Sequence, residues 1–373
     1  MAATTCWRTS SVNFMLSRTI TSVEEACALI REGSRFAVWG GGSKGGLRAQ
    51  TEEAVPLDMR RFAGITEYDP GEFTFTAKAG TMLKDIAKVL AESGQYLPFD
   101  PMLTEPVATL GGCIASGISG PGRFRYGGLR DFIIGVKFID GRGSLVTGGG
   151  KVVKNAAGFD FPKLMVGSCG RLGVITEATF KVFPKPKASL TAMAKLPLLT
   201  LANEAVRTLS RLPFDLDALE LMPPQEVVLR ISGEASALPA RLEAISKATN
   251  IRWRALSATS AIEMWESLTQ LSWVDGFTSR VRVPLTTQRV VEMDEFLERH
   301  EVSRLYSIGA NLVWIAWPPS IPVQVLHDQL VRMKLGGLQL DGTPTRLGMN
   351  AATMAEGIVK RVLDPDNKFG ALP

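Results

Sequence analysis

Between Thr109 and Pro121 the chain reads TLGGCIASGISGP, and hardly a position in it carries a bulky side chain. A stretch so poor in apolar volume makes a weak core. Its glycines, Gly111, Gly112, Gly117 and Gly120, would instead let main-chain N–H groups approach a ligand with no Cβ in the way. A second such run, WGGGSKGG from Trp39 to Gly46, lies earlier, behind the β-like run Arg35 to Trp39. Both read as loops at the ends of strands. The fold must therefore bring two side-chain-poor backbones against something large and polar, and one elongated phosphate-bearing ligand touched at two points meets that need.

A flavin dinucleotide has the length for two such contacts. A nicotinamide Rossmann site is the competing reading, but there the glycines open an amphipathic helix, with an acid about 20 residues further on. Gly40 to Gly46 is followed by LRAQTEEAVPLD, in which a helix of useful length is hard to place. A plain surface loop is the third reading. Lys44 could pair with a phosphate or stay solvated.

The length of 373 residues suggests two domains, and 45% hydrophobic content makes both globular. The 42 basic and 37 acidic residues are interspersed, which argues against nucleic-acid binding. No apolar run reaches the roughly 18 to 20 residues that span a bilayer, so membrane association is expected to be peripheral at most and the location cytoplasmic. Cys6, Cys27, Cys113 and Cys169 form no C-x-x-C pair and read as free thiols in a reducing compartment, with no metal site. The first 23 residues hold Arg8 and Arg18, no acid, and much Ser and Thr. They fit an organelle transit peptide or a frayed bacterial N-terminus, and not a secretory signal.

Ser22 and Glu25 fit a capping box, Ala26, Cys27 and Ile30 fall at helical spacing, and Gly33 is placed to end the helix in the left-handed region. Phe73, Phe75 and Ala77 alternate as in a strand, and Leu83, Ile86, Ala87 and Leu90 line one face of a helix over 81–93. Asp131 to Asp140 reads as a strand closed by the turn DGRG, and the alternation from Val174 to Val182 predicts a last strand before the prolines of PKP at 184–186. Beyond them the glycine-rich character ends. Strands at 226–231, 277–283 and 312–317 alternate with helices such as 287–299, which predicts an α+β unit with an antiparallel sheet and helices on one face. A last helix from about Gly348 ends in LDPDNKFG, and this tail is expected to return to the first domain.

GGGSKGG, TLGGCIASGISGP and GSCGRLGVITEATFKVFP, in that order, resemble the three flavin-contacting segments of the vanillyl-alcohol oxidase, or PCMH-type, FAD-binding domain. The run from PFDP through KVVKNAAGFDFPKLMVGSCGRLGVI is similar to the E subunits of bacterial glycolate oxidase. The resemblance implies an α+β chain with a tail at 1–14, a two-subdomain FAD-binding unit at 15–186, a cap at 187–345 and a C-terminal helix and tail at 346–373. It implies that Gly40, Gly41, Gly42, Ser43 and Lys44 face the pyrophosphate. Thr109, Leu110, Gly111, Gly112, Ser116, Gly117 and Gly120 would then line the diphosphate and ring edge. Gly173, Ile175 and Thr176 would meet the adenine or ribose. No histidine precedes His300, which excludes a histidyl tether from the FAD unit and makes the FAD non-covalent, unless Cys113 or Tyr126 were to hold it.

A flavin dehydrogenase of 2-hydroxy acids needs a cation for the carboxylate and a base for the hydroxyl proton. Arg280 and Arg282, on the predicted strand FTSRVRVP, are the candidate catalytic cations; Arg280 matches an arginine in a similar stretch of the E subunits. Arg123, Arg125 and Arg130 are rivals, and Arg130 with Asp131 also reads as a structural pair. The H-x-D-G-N-x-H motif of related D-2-hydroxyacid dehydrogenases is missing, and His300 and His327 read as helix-surface residues. Trp265, Trp273, Trp314 and Trp317 read as core. The resemblance implies a larger FAD-linked subunit and an iron–sulfur subunit as partners, with glycolate or a similar short 2-hydroxy acid as substrate. A non-catalytic FAD-carrying assembly or electron-relay subunit, and a self-sufficient D-lactate-type dehydrogenase, stay open beside it.

Overall fold

A computed structural model of the chain describes residues 17–33, 35–47, 54–150, 159–274, 276, 278–349 and 353–372. The expected tail at 1–14, the KVVKNAAG part of the matching run, the RAQTEE half of LRAQTEEAVPLD and the expected strand start at Phe277 lie outside them.

The first half holds two larger sheets and a two-stranded antiparallel pair of Gln95–Tyr96 with Phe183–Pro184. Strands β1 (Arg18–Thr19), β2 (Phe36–Trp39) and β3 (Val55–Asp58) form a parallel sheet in the order β1-β3-β2, and helix α1 (Val23–Glu32) packs on it. Ser22 caps α1 as expected, accepting from Glu25 N at 3.1 Å, but the Glu25 carboxylate reaches back to Thr21 N at 2.9 Å. Gly33 is extended at φ −85°, not left-handed. Its use is space, since a Cβ there would lie 2.1 Å from the Phe36 ring.

Next come β4 (Ile65–Asp69), β5 (Thr74–Lys78), α2 (Leu83–Glu92), the short β6 (Gln95–Tyr96), α3 (Leu110–Ser116), α4 (Arg123–Tyr126) and α5 (Leu129–Phe132). They are followed by β7 (Ile133–Ile139), β8 (Leu145–Gly149), α6 (Phe161–Met165), β9 (Val174–Lys181) and β10 (Phe183–Pro184). The second sheet runs β4-β5-β9-β7-β8, every pair antiparallel. Alternation delivers Phe75, Ala77, Val136, Phe138, Ala178 and Phe180 to one face, where α2 and α3 cover them.

The small-residue stretch is a helix here rather than a loop. Thr109 caps α3 by accepting from Gly112 N at 3.3 Å, and Leu110, Cys113 and Ile114 bury one side of the helix against this core. Gly117 ends it at φ +64°. The sequence reading weighed the glycines and undervalued Leu110, Cys113 and Ile114, which sit at helical spacing.

The second half is built on β11 (Ala188–Lys195), α7 (Leu199–Leu209), β12 (Ala218–Met222), β13 (Glu226–Gly233), α8 (Leu238–Thr249), β14 (Arg254–Ala255) and α9 (Ala258–Gln270). It continues through β15 (Ser279–Pro284), α10 (Val290–Arg299), β16 (Ser303–Ser307), β17 (Leu312–Trp317), α11 (Val323–Arg332), β18 (Gly336–Gln339) and β19 (Arg346–Gly348). The nine strands form one antiparallel sheet, β14-β11-β13-β12-β16-β17-β15-β18-β19. Helices α7, α8, α10 and α11 pack on the face that carries Leu219, Leu229, Val281, Val283, Val313 and Ile315. The opposite face, with Ala218, Val228, Leu305, Leu312 and Trp314, meets α9 and side chains of the first half, Leu47, Met102, Leu103 and Ile118. The Arg230–Asp100 ion pair at 2.6 Å crosses the same boundary. Trp265, Trp314 and Trp317 are buried, as core tryptophans should be.

After β19 the chain forms α12 (Thr353–Leu363) and returns to the first half. Phe369 is fully buried between α1 and the parallel sheet, and Phe36 N donates to Lys368 O at 2.7 Å. No described helix is long and apolar enough to cross a membrane.

Candidate functional site

The bond from Met59 N to Trp39 O, 2.9 Å, closes the β2–β3 ladder, and the chain leaves the sheet at Gly40. From there it runs across the N-terminal end of α3. The approach is too close for side chains. A Cβ on Gly41 would lie 1.6 Å from Val107 O, and one on Gly40 would lie 2.5 Å from Thr109 Oγ1. The two glycine-rich segments that the sequence holds apart are thus in contact, and each is small because of the other.

They form two walls of one cleft. Gly40, Gly41, Gly42, Ser43 and Lys44 line it, as do Thr109, Gly111, Gly112, Ser116, Gly173 and Ile175. Of the residues expected from the sequence, four are elsewhere. The Leu110 side chain is in the core, Gly117 caps α3, Gly120 packs on Asp100 O, and Thr176 is buried with its hydroxyl donating to Lys137 O at 3.0 Å. The cleft also takes in Trp39, Ala79, Ala115, Cys169 and Gly170, which the sequence reading did not name as cofactor contacts. Cys169 and Gly170 were within reach of it: they belong to GSCG, the segment that contributes Gly173.

The donor inventory separates the two walls. In α3, Leu110 N donates to Thr81 O, Gly111 N to Ala79 O and Gly112 N to the Thr109 hydroxyl, so these groups are spent inside the protein. Among the described residues the N–H groups of Gly40, Gly41, Gly42 and Ser43 have no protein acceptor. Consecutive free N–H groups make an anion-binding concavity, and Lys44 stands at its end. Lys44 Nζ reaches Ser43 Oγ at 3.2 Å and Leu103 O at 3.3 Å. Burial, with repulsion from Arg280, pulls its pKa below the ordinary lysine value. An anion in the cleft would relieve both effects. Unused donors, a lysine and a long wall of backbone and small residues fit a dinucleotide diphosphate.

Cys113 and Tyr126 offer no tether. Cys113 is 1% exposed in the core and burial pushes its thiol up to about 11; the Tyr126 hydroxyl donates to Asp217 at 3.0 Å.

Arg280 is not the open cation that its position in the sequence suggested. Its Nε and Nη2 both bond the Asp341 carboxylate at 2.7 Å, a bidentate pair that leaves little for a substrate. Arg282, two residues on, shares the sheet face but has no hydrogen-bond or ion-pair partner among the described residues. Burial, aided by Arg123, holds it down to about 10. The residue is half-buried. Its cross-strand neighbours Trp314 and Leu338 belong to the cluster that contains Leu47 and Leu103, which places Arg282 on the side turned to the first half.

Arg125 is committed to Asp217 at 2.9 Å. Asp131 accepts from Gly128 N at 2.8 Å, and the ion pairs of the described residues do not include Arg130 with Asp131. The histidines serve structure. His300 Nδ1 lies 2.8 Å from Phe296 O, and His327 Nδ1 accepts from Gly348 N at 3.2 Å.

Residues 14–149 match the FAD binding domain family. Glycolate oxidase subunit GlcE of Escherichia coli is 40% identical over 176 residues, covering 47% of this chain and 50% of that protein. Glycolate oxidase subunit GlcD of Bacillus subtilis is 34% identical over 144 residues, 39% of this chain and 30% of its own length. D-lactate dehydrogenase of Archaeoglobus fulgidus is 29% identical over 229 residues, 60% of this chain and 51% of its own. The chain thus spans about half or less of these relatives. An alkyldihydroxyacetonephosphate synthase structure superposes with a TM-score of 0.67 at 17% identity, covering 94% of this chain and 76% of that one, which shows a shared fold. Residues 14–149 thus form a PCMH-type FAD-binding domain, and FAD is its cofactor.

Proposed function

We propose that this chain is the FAD-carrying subunit of a glycolate oxidase-type dehydrogenase and takes part in oxidising a short 2-hydroxy acid, glycolate first among them, to the 2-oxo acid. One observation carries the reading: Arg282, a guanidinium with no hydrogen-bond or ion-pair partner among the described residues, on the cap face turned toward the domain with the FAD cleft. A deeply set cation with no acid beside it is costly unless a ligand anion completes it.

The free N–H groups of Gly40 to Ser43 and the Lys44 ammonium would hold the FAD diphosphate. Gly111, Gly112, Ala115 and Ser116 would form the flat wall beside it, and Gly173 and Ile175 would close the far end. Cys113 lies in the core and the Tyr126 hydroxyl is engaged by Asp217, which favours a cofactor held non-covalently. When bound, FAD supplies the two-electron acceptor for the substrate C–H bond. Arg282 would fix the substrate carboxylate by a charge-assisted pair, worth roughly 1.5 to 3 kcal/mol.

A second reading has its own support. Each histidine has Nδ1 engaged by main chain, Phe296 O for His300 and Gly348 N for His327, so neither is poised to take the hydroxyl proton. That favours a complex in which a larger FAD-linked subunit supplies the base while this chain carries or relays electrons. Of the described cysteines, Cys27 and Cys113 are buried free thiols, so iron–sulfur clusters would belong to another subunit. Such a complex would sit in the cytoplasm, at most peripheral to the inner face of the membrane.

The purified chain is expected to be yellow. Anaerobic bleaching of its flavin by glycolate supports the catalytic reading, and bleaching only after the partner subunits are added supports the second. A colourless protein that FAD cannot reconstitute refutes both.

A further inference from the structure

Arg171 follows Cys169 and Gly170 of the cleft wall and is 7% exposed. Among the described residues no carboxylate pairs with it. It donates instead to three carbonyls: Nε to Cys169 O at 3.3 Å, Nη2 to Leu47 O at 3.3 Å and Nη1 to Ala371 O at 2.6 Å. Leu47 ends the glycine-rich run and lines the cleft, Cys169 lines it from the other loop, and Ala371 is in the last three residues of the chain. One guanidinium therefore joins both loops of the cofactor cleft to the C-terminal tail.

The tail is itself well anchored. Lys360 Nζ donates to Arg171 O at 2.7 Å and to Asp364 at 2.5 Å. Asp364, 2% exposed, also accepts from Lys368 N at 2.8 Å and Phe369 N at 2.9 Å. Lys368 Nζ donates to Ile30 O at 2.6 Å, and its carbonyl takes Phe36 N, at the start of the strand that delivers the chain to Gly40. Residues 360–371 thus brace the glycine-rich run at both ends, through Phe36 before it and, by way of Arg171, through Leu47 after it.

We infer that Arg171 is a positioning residue for the cofactor: with the tail carbonyl it holds, it sets the separation of the Gly40–Leu47 and Cys169–Gly173 loops, and so sets FAD affinity from the C-terminal end. This rests on the reading of the cleft as the FAD site. Loss of the guanidinium leaves three carbonyls without their donor and frees two loops that no other side chain among the described residues joins through a shared donor. Arg171→Lys keeps the charge but cannot reach three acceptors in one plane.

The test is FAD titration of the full chain stripped of flavin, followed by flavin fluorescence, together with amide exchange of residues 367–372 with and without FAD. Arg171→Met is expected to weaken FAD binding by about 10- to 100-fold, on the scale of groups that orient a primary ligand shell. Arg171→Lys and a chain ending at Gly370 should fall in between. In the wild type FAD should slow exchange in the tail, and in Arg171→Met that protection should vanish, a coupling that a purely structural residue would not move. Dissociation constants within twofold of wild type, or tail exchange indifferent to FAD in the wild type, would overturn the inference. If Arg171→Met fails to fold, the lysine variant and the shortened chain decide it. A wild type that takes no FAD overturns the cofactor reading instead.

Discussion

Gly41→Ala adds one methyl group where the two cleft segments cross. That carbon would stand 1.6 Å from Val107 O and 2.5 Å from Val107 C, against a practical minimum of 3.0 Å. Neither atom is the end of a flexible side chain, so the main chains must separate by about 1.4 Å, the shortfall between those two distances. The cost to folding should be that of a local overpacking, ~1–3 kcal/mol. The cost to the cofactor is larger. A shift of that size carries N–H groups from hydrogen-bond range to beyond it. If two bonds to phosphate oxygens are lost at roughly 1.5 to 3 kcal/mol each, FAD affinity falls by about 10²- to 10⁴-fold. Isothermal titration of the flavin-free protein measures this directly, with thermal melting to show that the fold survives. Gly71→Ala is the control, since its added carbon meets only Asp69 Oδ1 at 3.4 Å, and it should bind FAD as the wild type does. A folded Gly41→Ala protein that binds FAD within threefold of wild type would refute the cleft assignment.

Arg282→Met should leave FAD affinity unchanged while raising the KM for the hydroxy acid by roughly 10- to 100-fold, the loss of one charge-assisted bond; steady-state kinetics of the reconstituted complex beside flavin titration separate the two. Glu220 is fully buried, and burial pushes its carboxyl up to about 8 from 4.5. The folded protein keeps that proton while the unfolded chain releases it, so this stabilisation is complete below pH 4.5 and declines by up to about 1.4 kcal/mol per unit as pH rises toward 8. Glu220→Gln should flatten the dependence in melting curves across that window; an unchanged slope would assign it to other groups. Gly357 lies inside α12, and a Cβ there would meet only Arg361 Nη1 at 3.8 Å. Gly357→Ala should therefore stabilise by ~0.5–1 kcal/mol in urea titration, with no change in FAD binding.

Much of the fold could be read locally. The alternation of β9 and the apolar spacing of α2 match what the structure shows, because a 2.0 or 3.6 period reports which side chains share a face. The α3 segment was misjudged because its glycines masked a helical row of Leu110, Cys113 and Ile114. Arg280 looked open because its partner, Asp341, comes 61 residues later and reaches it only through the β15–β18 edge. Arg171 drew no notice, since the three carbonyls it joins lie at Leu47, Cys169 and Ala371.

By itself the sequence determined where this protein has room for a cofactor: a glycine fixes locally how closely a backbone can be approached, and no packing elsewhere can restore a missing Cβ. Only the tertiary structure decided which polar groups remain to meet that cofactor and its substrate. Among the described residues the N–H groups of Gly40 to Ser43 and the guanidinium of Arg282 have no partner, while those of Gly111 and Arg280 are taken. Whether a donor or a charge is free depends on what distant segments place beside it, and that is settled when the chain folds.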